Sequence, residues 1–319
     1  MALVDRVAHR LKLRDLRLLQ AVAQWRSMAK AAAHLNLTQP AVSKAISELE
    51  QMLGVRLLDR NRQGIEPTAH GQALIKRGIA IFDELRQGVS EIEYLSDPTS
   101  GEVRVAASIS MAAGILPVIV DRLSRRFPRI SILAREVPIA SLQFHERPYR
   151  ELRERAVDLV LGQIVGPPAA EDLKIETLFG DPLVVATGTQ NRWVGRRVVA
   201  LQDLVDERWC LPPSDSVAGS RCVEAFHANG MDIPKRKVTT MSVHLQIGLL
   251  ATQQYFTMWP GSLMRFSASR LSMKGLPIKL AVRRITVGIV TLKDRTLSPA
   301  AQLFIQTARE VAKPLMDAG

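Results

Sequence analysis

Along residues 36 to 60, NLTQPAVSKAISELEQMLGVRLLDR, apolar residues return at helical rather than alternating intervals. Val42, Ile46, Leu49 and Leu53 fall within about 60° of one another at about 100° per residue, which defines one buried stripe on a helix. Thr38 stands where a cap belongs, Pro40 costs little in the first turn because its missing N–H has no helical partner, and Gly54 ends the run. Upstream, Leu16, Leu19 and Ala23 recur at helical spacing, and Ser27 is placed to cap an Ala-rich run from Met28 to Leu35. Three short helices are predicted. On the third, Pro40, Lys44 and Ser47 point away from the apolar stripe, Ser43 flanks it and Gln39 stands at the tip. A small, polar, uncluttered face of this kind has the shape a DNA major groove admits, although any small helical bundle also shows an amphipathic third helix.

Residues 55 to 71, VRLLDRNRQGIEPTAHG, change period: a short apolar strand, a turn rich in Asn, Gly and Arg, and a second strand ending near Thr68. This predicts a β-hairpin whose Arg60 and Arg62 can reach phosphates or the minor groove, or whose Arg60 serves only to pair with Asp59 or Glu66. From Gly71 to Leu95 the helical period returns. Leu74, Gly78, Ile81, Leu85, Gly88, Ile92 and Leu95 follow alternating four- and three-residue steps, an a/d seam that predicts pairing with another helix. Two glycines in it weaken the helix by about 1 kcal/mol each relative to Ala, so the helix needs that partner. SDPTSG at 96–101 then breaks it.

Beyond the break, strands and helices alternate. VRVAAS, a helix from Ile115 to Arg126, ISILAREV, a helix near Arg150 to Arg155 and VDLVLG form a first set. LFGDPLVVATG leads to a second: RWCLP, the helix SRCVEAFHANG, KVTTM, the helix SVHLQIGLLATQ and YFTMW. A strand region from Arg284 to Leu292 and a helix from Ser298 to Lys313 close the chain. The alternation predicts parallel α/β sheets.

Charge sharpens this division. Residues 1–77 carry 13 Lys and Arg against 6 Asp and Glu, residues 78–98 carry 1 against 5, and the remainder carries 29 against 20. A basic head of this size fits nucleic acid, as it fits a solvated basic surface. No apolar run approaches the roughly 20 residues of a membrane span, and the N-terminus lacks a secretory pattern, so a cytoplasmic protein is expected. Cys210 and Cys222 form no CxxC pair, and no His stands near them at ligand spacing, so neither a structural disulfide nor a metal is expected. The six histidines (9, 34, 70, 145, 227 and 244) make no metal pair and flank no nucleophile motif, and neither GDPLVVATG nor AAGILP is a phosphate loop. No enzyme and no cofactor are predicted.

The run Ser27, Ala31, Ala32, Leu35, Thr38, Gln39, Pro40, Ala41, Val42, Ser43, Ile46, Leu49, Glu50, Leu53, Gly54, Leu57, Arg60, Pro67, Thr68 and Gly71 resembles the winged helix-turn-helix of LysR-type transcriptional regulators. The chain departs from that pattern at Leu58, where an aromatic residue is usual, and at His70. The resemblance extends more loosely over nearly the whole chain. It implies a winged helix-turn-helix at 1–70 and a dimerising linker helix at 71–96. A regulatory region similar to periplasmic binding proteins follows at 100–319, with subdomain I at about 100–180 and 264–319 and subdomain II at about 181–263. The crossovers are expected near Asp181 and near Trp259 to Leu263.

The resemblance also implies double-stranded DNA with a pseudo-palindromic site, a homodimer or homotetramer, a small-molecule effector and RNA polymerase as partners, and no membrane. The DNA-facing residues are then Ser27, Thr38, Gln39, Pro40, Ser43, Lys44, Ser47, Arg60 and Arg62. An effector cleft at the carboxyl ends of strands is lined by loops entering helix N-termini, which favour anions, so a carboxylate metabolite is expected. Those loops hold Ser108 and Ser110 after the first strand, Ala140 and Ser141 after the second, Gly162, Gln163 and Ile164 after the third, and Pro212, Pro213 and Ser214 in the second subdomain. Ser110 matches an effector-contacting position of the family. HERPY at 145–149 extends the family's usual loop and is expected to reshape one cleft wall. One branch of the family senses peroxide through two cysteines, which makes a thiol-based sensor using Cys210 and Cys222 the alternative, although neither has the basic flanks of a reactive thiolate.

Overall fold

The computed structural model describes residues 10–61, 64–137, 147–164 and 171–316, in two compact units, one ending at Gly88 and the other beginning at Val89. In the first unit, α1 (Leu13–Trp25) ends on Arg26 in the left-handed region. The next helix, α2 (Met28–His34), starts at Ser27, whose Oγ accepts the Lys30 N–H at 3.4 Å. Then α3 (Gln39–Leu53) runs from Thr38 to Gly54, where φ is 71° and the Gly54 N–H closes on the Glu50 carbonyl at 2.8 Å. The Thr38 hydroxyl makes no cap bond, so its place at the helix start is correct but its expected capping bond is not formed. The α3 stripe Val42, Ile46 and Leu49 packs with Leu18, Leu19 and Val22 of α1 and Ala31 of α2. On α1, Ala23 is only half-buried, and Leu18 and Val22 carry the packing.

The hairpin pairs β1 (Leu58–Asn61) with β2 (Gly64–Pro67) antiparallel. It is tied to α3 by Glu50, whose Oε1 accepts the N–H groups of Leu57 at 2.7 Å and Leu58 at 3.2 Å. The long helix α4 (Ala69–Ser96) starts where Thr68 donates its Oγ1 to the Arg56 carbonyl at 2.8 Å and accepts the Gly71 N–H at 3.1 Å. A Cβ at Gly71 would lie 2.0 Å from the Leu57 carbonyl oxygen, so only glycine lets the helix approach the hairpin this closely.

In the second unit the elements run β3 (Ser100–Ser108), α5 (Ile109–Ala113), α6 (Ile115–Arg126), β4 (Arg129–Val137), α7 (Arg147–Arg153), β5 (Leu159–Ile164) and β6 (Leu173–Asp181). After Pro182 follow β7 (Leu183–Gly188), β8 (Arg208–Leu211), α8 (Val217–Ala228), β9 (Lys237–Thr239), α9 (Val243–Ala251), β10 (Tyr255–Pro260), α10 (Gly261–Ser267) and β11 (Met273–Gly275). β12 (Ile285–Leu292) and α11 (Pro299–Met316) complete the chain. They build two five-stranded sheets, β4-β3-β5-β12-β6 and β11-β7-β10-β8-β9.

Both sheets are mixed, which corrects the expectation of parallel sheets. β3 is parallel to β4 and β5, but β12 runs antiparallel to β5 and β6. In the second sheet β7 is antiparallel to β10 and β11. The reason is that chain segments passing between the sheets enter each one from the opposite end. The chain passes from the first sheet to the second at Pro182, between β6 and β7. The second crossover does not lie at Trp259–Leu263: β11 still pairs with β7, so the chain leaves the second sheet only after Gly275.

Apolar residues of β3, β5 and β12 pack beneath α6 and α11, with Ile115, Ile119, Phe304 and Ala308 buried. At one end of this layer a charged cluster is enclosed. Asp158 Oδ1 meets Arg104 at 2.6 Å and Arg295 at 2.7 Å, and their side chains are 4%, 13% and 0% exposed. Asp158 Oδ2 also accepts the Arg104 backbone N–H at 2.7 Å, and Arg295 donates to the Val157 carbonyl at 2.7 Å. Removing one partner from such a cluster leaves uncompensated buried charge, which costs about 3–5 kcal/mol. Asp158→Ala is therefore expected to lower stability by about that amount in urea unfolding followed by circular dichroism, and a loss below 1 kcal/mol would show that the cluster is solvated.

Candidate DNA-reading face and effector cleft

The face of α3 opposite its buried stripe is open. Gln39, Pro40, Lys44 and Ser47 are exposed and Ser43 is half-buried beside them. Lys44 Nζ lies 3.9 Å from Glu48 Oε1, an exposed pair worth little in water and easily exchanged for a phosphate. Thr38 is exposed with its hydroxyl uncommitted to the helix, whereas the Ser27 hydroxyl is already engaged as the α2 cap. Arg60 is exposed on β1, cross-strand from Ile65. Glu66 is held by the Arg26 guanidinium and by Asn61 Nδ2 at 2.9 Å. That arrangement excludes the Arg60–Glu66 pair and leaves Arg60 without an ion pair among the described residues. Arg62 lies outside the described residues.

The α4 seam divides. Leu74 packs on the core of the first unit, and Gly78 is buried where a Cβ would come 2.9 Å from the Gln20 amide. These two serve packing within the chain. Farther along, Ile81, Leu85 and Ile92 are 39%, 48% and 65% exposed, Gly88 is exposed, and Val89 and Leu95 add 55% and 76% exposed apolar side chains. Val89 was not legible as part of the stripe because it falls one residue off the heptad spacing.

Between the two sheets of the second unit lies a cavity of about 80 Å³. Of the residues predicted to line it, Ser108, Ser110, Gln163 and Pro212 do so. Gly162 and Ile164 do not: strand alternation turns them away from Gln163, and Ile164 packs on the apolar cluster of Ala106, Val160 and Val290. Pro213 and Ser214 line a separate pocket behind the same loop, beside Cys222 and Phe226. Ala140 and Ser141, and His145 and Glu146 of the HERPY stretch, lie outside the described residues. The remaining lining comes from positions not predicted to line it: Ile109, Val217, Ala218, Met241, Val243, Gln246, Met258, Trp259, Pro260 and Leu263. Ser216 and Ser242 were the available signal, since each caps a helix that opens on the cavity, accepting Gly219 N–H at 3.0 Å and Leu245 N–H at 3.2 Å.

The polar groups of the cavity are few. Trp259 Nε1 donates to Gln246 Oε1 at 2.6 Å, and Gln246 Nε2 reaches the Thr240 carbonyl at 3.4 Å. The Ser108 hydroxyl is different: the residue is 4% exposed and its Oγ has no hydrogen-bond partner among the described residues. A buried hydroxyl without a partner costs free energy, and it is recovered only when something donates or accepts there.

Cys210 on β8 and Cys222 on α8 are 0% and 2% exposed. Burial pushes their thiols up to about 11 and about 12, the nearby Arg221 offsetting only part of the effect at Cys222. Neither is a thiolate near neutral pH, which argues against the thiol-sensing alternative. Among the described residues no group of three or more His, Cys, Asp or Glu could hold a metal, and no helix is long and apolar enough to cross a membrane.

Comparison with known proteins agrees with this geometry. Residues 13–72 match the bacterial regulatory helix-turn-helix of the LysR family, and residues 96–313 match the LysR substrate binding domain. The transcriptional regulator GbpR of Azospirillum brasilense is 27% identical over 309 residues, covering 96% of this chain and 88% of that protein. Two solved structures share the fold. A full-length OxyR variant from Pseudomonas aeruginosa aligns with a TM-score of 0.63 at 18% identity, covering 96% of this chain and 98% of that one. Full-length CbnR bound to its target DNA aligns with a TM-score of 0.53 at 20% identity, covering 95% and 100%. A reading head and a cleft-bearing body, each matching its own LysR domain in one chain, make this protein a member of the LysR family of DNA-binding transcriptional regulators.

Proposed function

We propose that this regulator binds a pseudo-palindromic site in double-stranded DNA as a homodimer or homotetramer, and that a carboxylate effector in the cleft changes its promoter contacts. The observation that carries this reading is the cavity between the two sheets, lined by Ser108, Ser110, Gln163 and Pro212, in the same chain as an open recognition helix. Gln39 and Ser43 address base edges from the first turns of α3. Lys44 and Arg60 meet phosphates or the minor groove, and Thr38 and Ser47 border them. Arg62 is assigned the same role from the sequence alone. The exposed apolar stripe of α4, from Ile81 to Leu95, is covered by a second copy, whose two-fold symmetry sets the half-site spacing. The protein works in the cytoplasm, where bound effector alters how the promoter-bound oligomer engages RNA polymerase.

The two kinds of DNA contact separate experimentally. Gln39→Ala is expected to weaken specific binding by about 1–3 kcal/mol and relax base preference, whereas Arg60→Ala weakens all sequences alike and lowers the salt slope by about one unit. Fluorescence anisotropy over a salt series reads both, and unchanged binding in the two variants would remove the assignment. Ile81→Glu with Leu85→Glu is expected to give monomers in sedimentation velocity, because charge buried without a partner is expensive. An intact oligomer would show that the stripe is not the seam.

The thiols supply a fourth test. Their folded values of about 11 and about 12 lie above the ordinary 9.0, so burial of the neutral form contributes stability that is complete below pH 9 and lost as pH rises through the folded values. At pH 7.5 a thiol reagent is expected to modify the native protein far more slowly than the urea-unfolded chain. Equal rates would revive the redox alternative.

A further inference from the structure

The positive charge of the first unit is concentrated away from its recognition helix. Lys44 is the only cation on α3, whereas Arg10, Lys12, Arg14 and Arg17 crowd into eight residues just ahead of α1 and in its first turns. All four are exposed and none makes an ion pair among the described residues, in contrast to Arg26, which is held by Glu66. The only acid in that stretch, Asp15, does not neutralise them: its Oδ2 accepts the Lys12 backbone N–H at 3.1 Å and closes the start of the helix. Arg10 and Lys12 also precede the matched helix-turn-helix at 13–72.

Arg14 and Arg17, three residues apart on one face of α1, line a depression of about 390 Å³. Its other polar lining is His34 at the end of α2 and Asn36 in the turn that follows, the rest is leucine, and no acidic side chain lines it among the described residues. Asn36 turns the chain at a φ of 54°, and Thr38 and Gln39 at the tip of α3 follow within three residues, so the depression opens beside the end of the helix that enters a groove. Cations this close repel one another, and a polyanion relieves that repulsion while releasing its own counterions. A guanidinium fork with an amide beside it suits phosphate oxygens, and the phosphates that border a groove lie next to the tip of any helix inserted there. On the reading that α3 occupies the major groove, we propose that Arg14 and Arg17, with Asn36, hold a DNA backbone phosphate beside the start of α3, and that Arg10 and Lys12 carry the contact on to the neighbouring phosphate. This footprint adds to those of the recognition helix and the hairpin.

The test uses the full-length protein with two probes, a duplex that it selects from a random library and a duplex of the same composition in scrambled order. Arg14→Gln with Arg17→Gln is expected to weaken both duplexes by the same factor, about tenfold, and to lower the salt slope by about two units. The ratio of the two affinities and the melting temperature stay unchanged, because these side chains read no base and make no ion pair within the described chain. Neutral methylphosphonates placed one at a time in the selected duplex then locate the contact. At one position beside each half-site the wild type is expected to lose about tenfold and the double variant nothing further. Wild-type affinity and salt slope in the double variant would overturn the proposal, as would methylphosphonate losses that add to the variant's loss at every position. A double variant that binds both duplexes normally yet fails to change transcription would overturn it in favour of an acidic protein partner on the same surface. Equal binding of the selected and scrambled duplexes by the wild type would instead bring down the reading of α3 on which the proposal rests.

Discussion

The joint at Asp181 holds the cleft together. The first sheet ends there, the second begins two residues later at Leu183, and the carboxylate is 1% exposed. Burial raises its pKa, and the donors of Ser262, from side chain and backbone, pull against that rise along with Arg221 and Gly261. Oδ1 accepts the Ser262 N–H at 2.8 Å, and the Ser262 hydroxyl donates to Oδ2. The Gly261 N–H reaches the Pro182 carbonyl at 2.7 Å, so the start of α10 is fastened to the crossover from both sides. A carboxylate at a helix start is favoured by the free amides and the dipole, which is how a buried acid is tolerated here.

That fastening places α10 between the sheets. Leu263 reaches the cavity, and its backbone comes close enough to Gly114 that a Cβ there would lie 3.1 Å from the Leu263 Cα. Ser267 Oγ donates to the Ala113 carbonyl at 2.7 Å, linking α10 to the short helix that follows Ser108. The cleft therefore has one wall from α5, one from the starts of α8 and α9, and a floor from Trp259 to Leu263. Among the described residues its lining is mostly apolar and carries no charged side chain.

The reading head obeys a similar economy. Glu50, on the buried side of α3, spends its carboxylate on the amides of Leu57 and Leu58, so recognition helix and hairpin move as one piece. Thr68 and Gly71 dock the long helix against the same hairpin root. None of these residues faces the open polar surface of α3. They hold that surface at a constant angle to Arg60, and geometric constancy is what a groove-reading helix requires.

Much of this was legible in the order of residues. Local rules placed the starts of α2 and α3, the stop at Gly54, the hairpin and the strand–helix alternation, because caps, turns and amphipathic periods act over a few residues. The resemblance carried by the ordered run from Ser27 to Gly71 pointed to the family. Strand direction was not legible, since β12 pairs with β5 and β6 across more than a hundred residues and nothing local marks an antiparallel return. The second crossover was misplaced for the same reason: β11 is three residues long and joins its sheet only through β7. Ser108, Gln163 and Pro212 were found because loops after strands face a cleft, but Gly162 and Ile164 were carried along by sequence adjacency that strand alternation breaks. Met241, Val243, Gln246, Met258 and Trp259 were placed only as members of two strands and a helix. Only the tertiary structure turns them toward a shared cavity, because whether an apolar side chain fills a core or lines a cleft depends on what the opposite sheet leaves open.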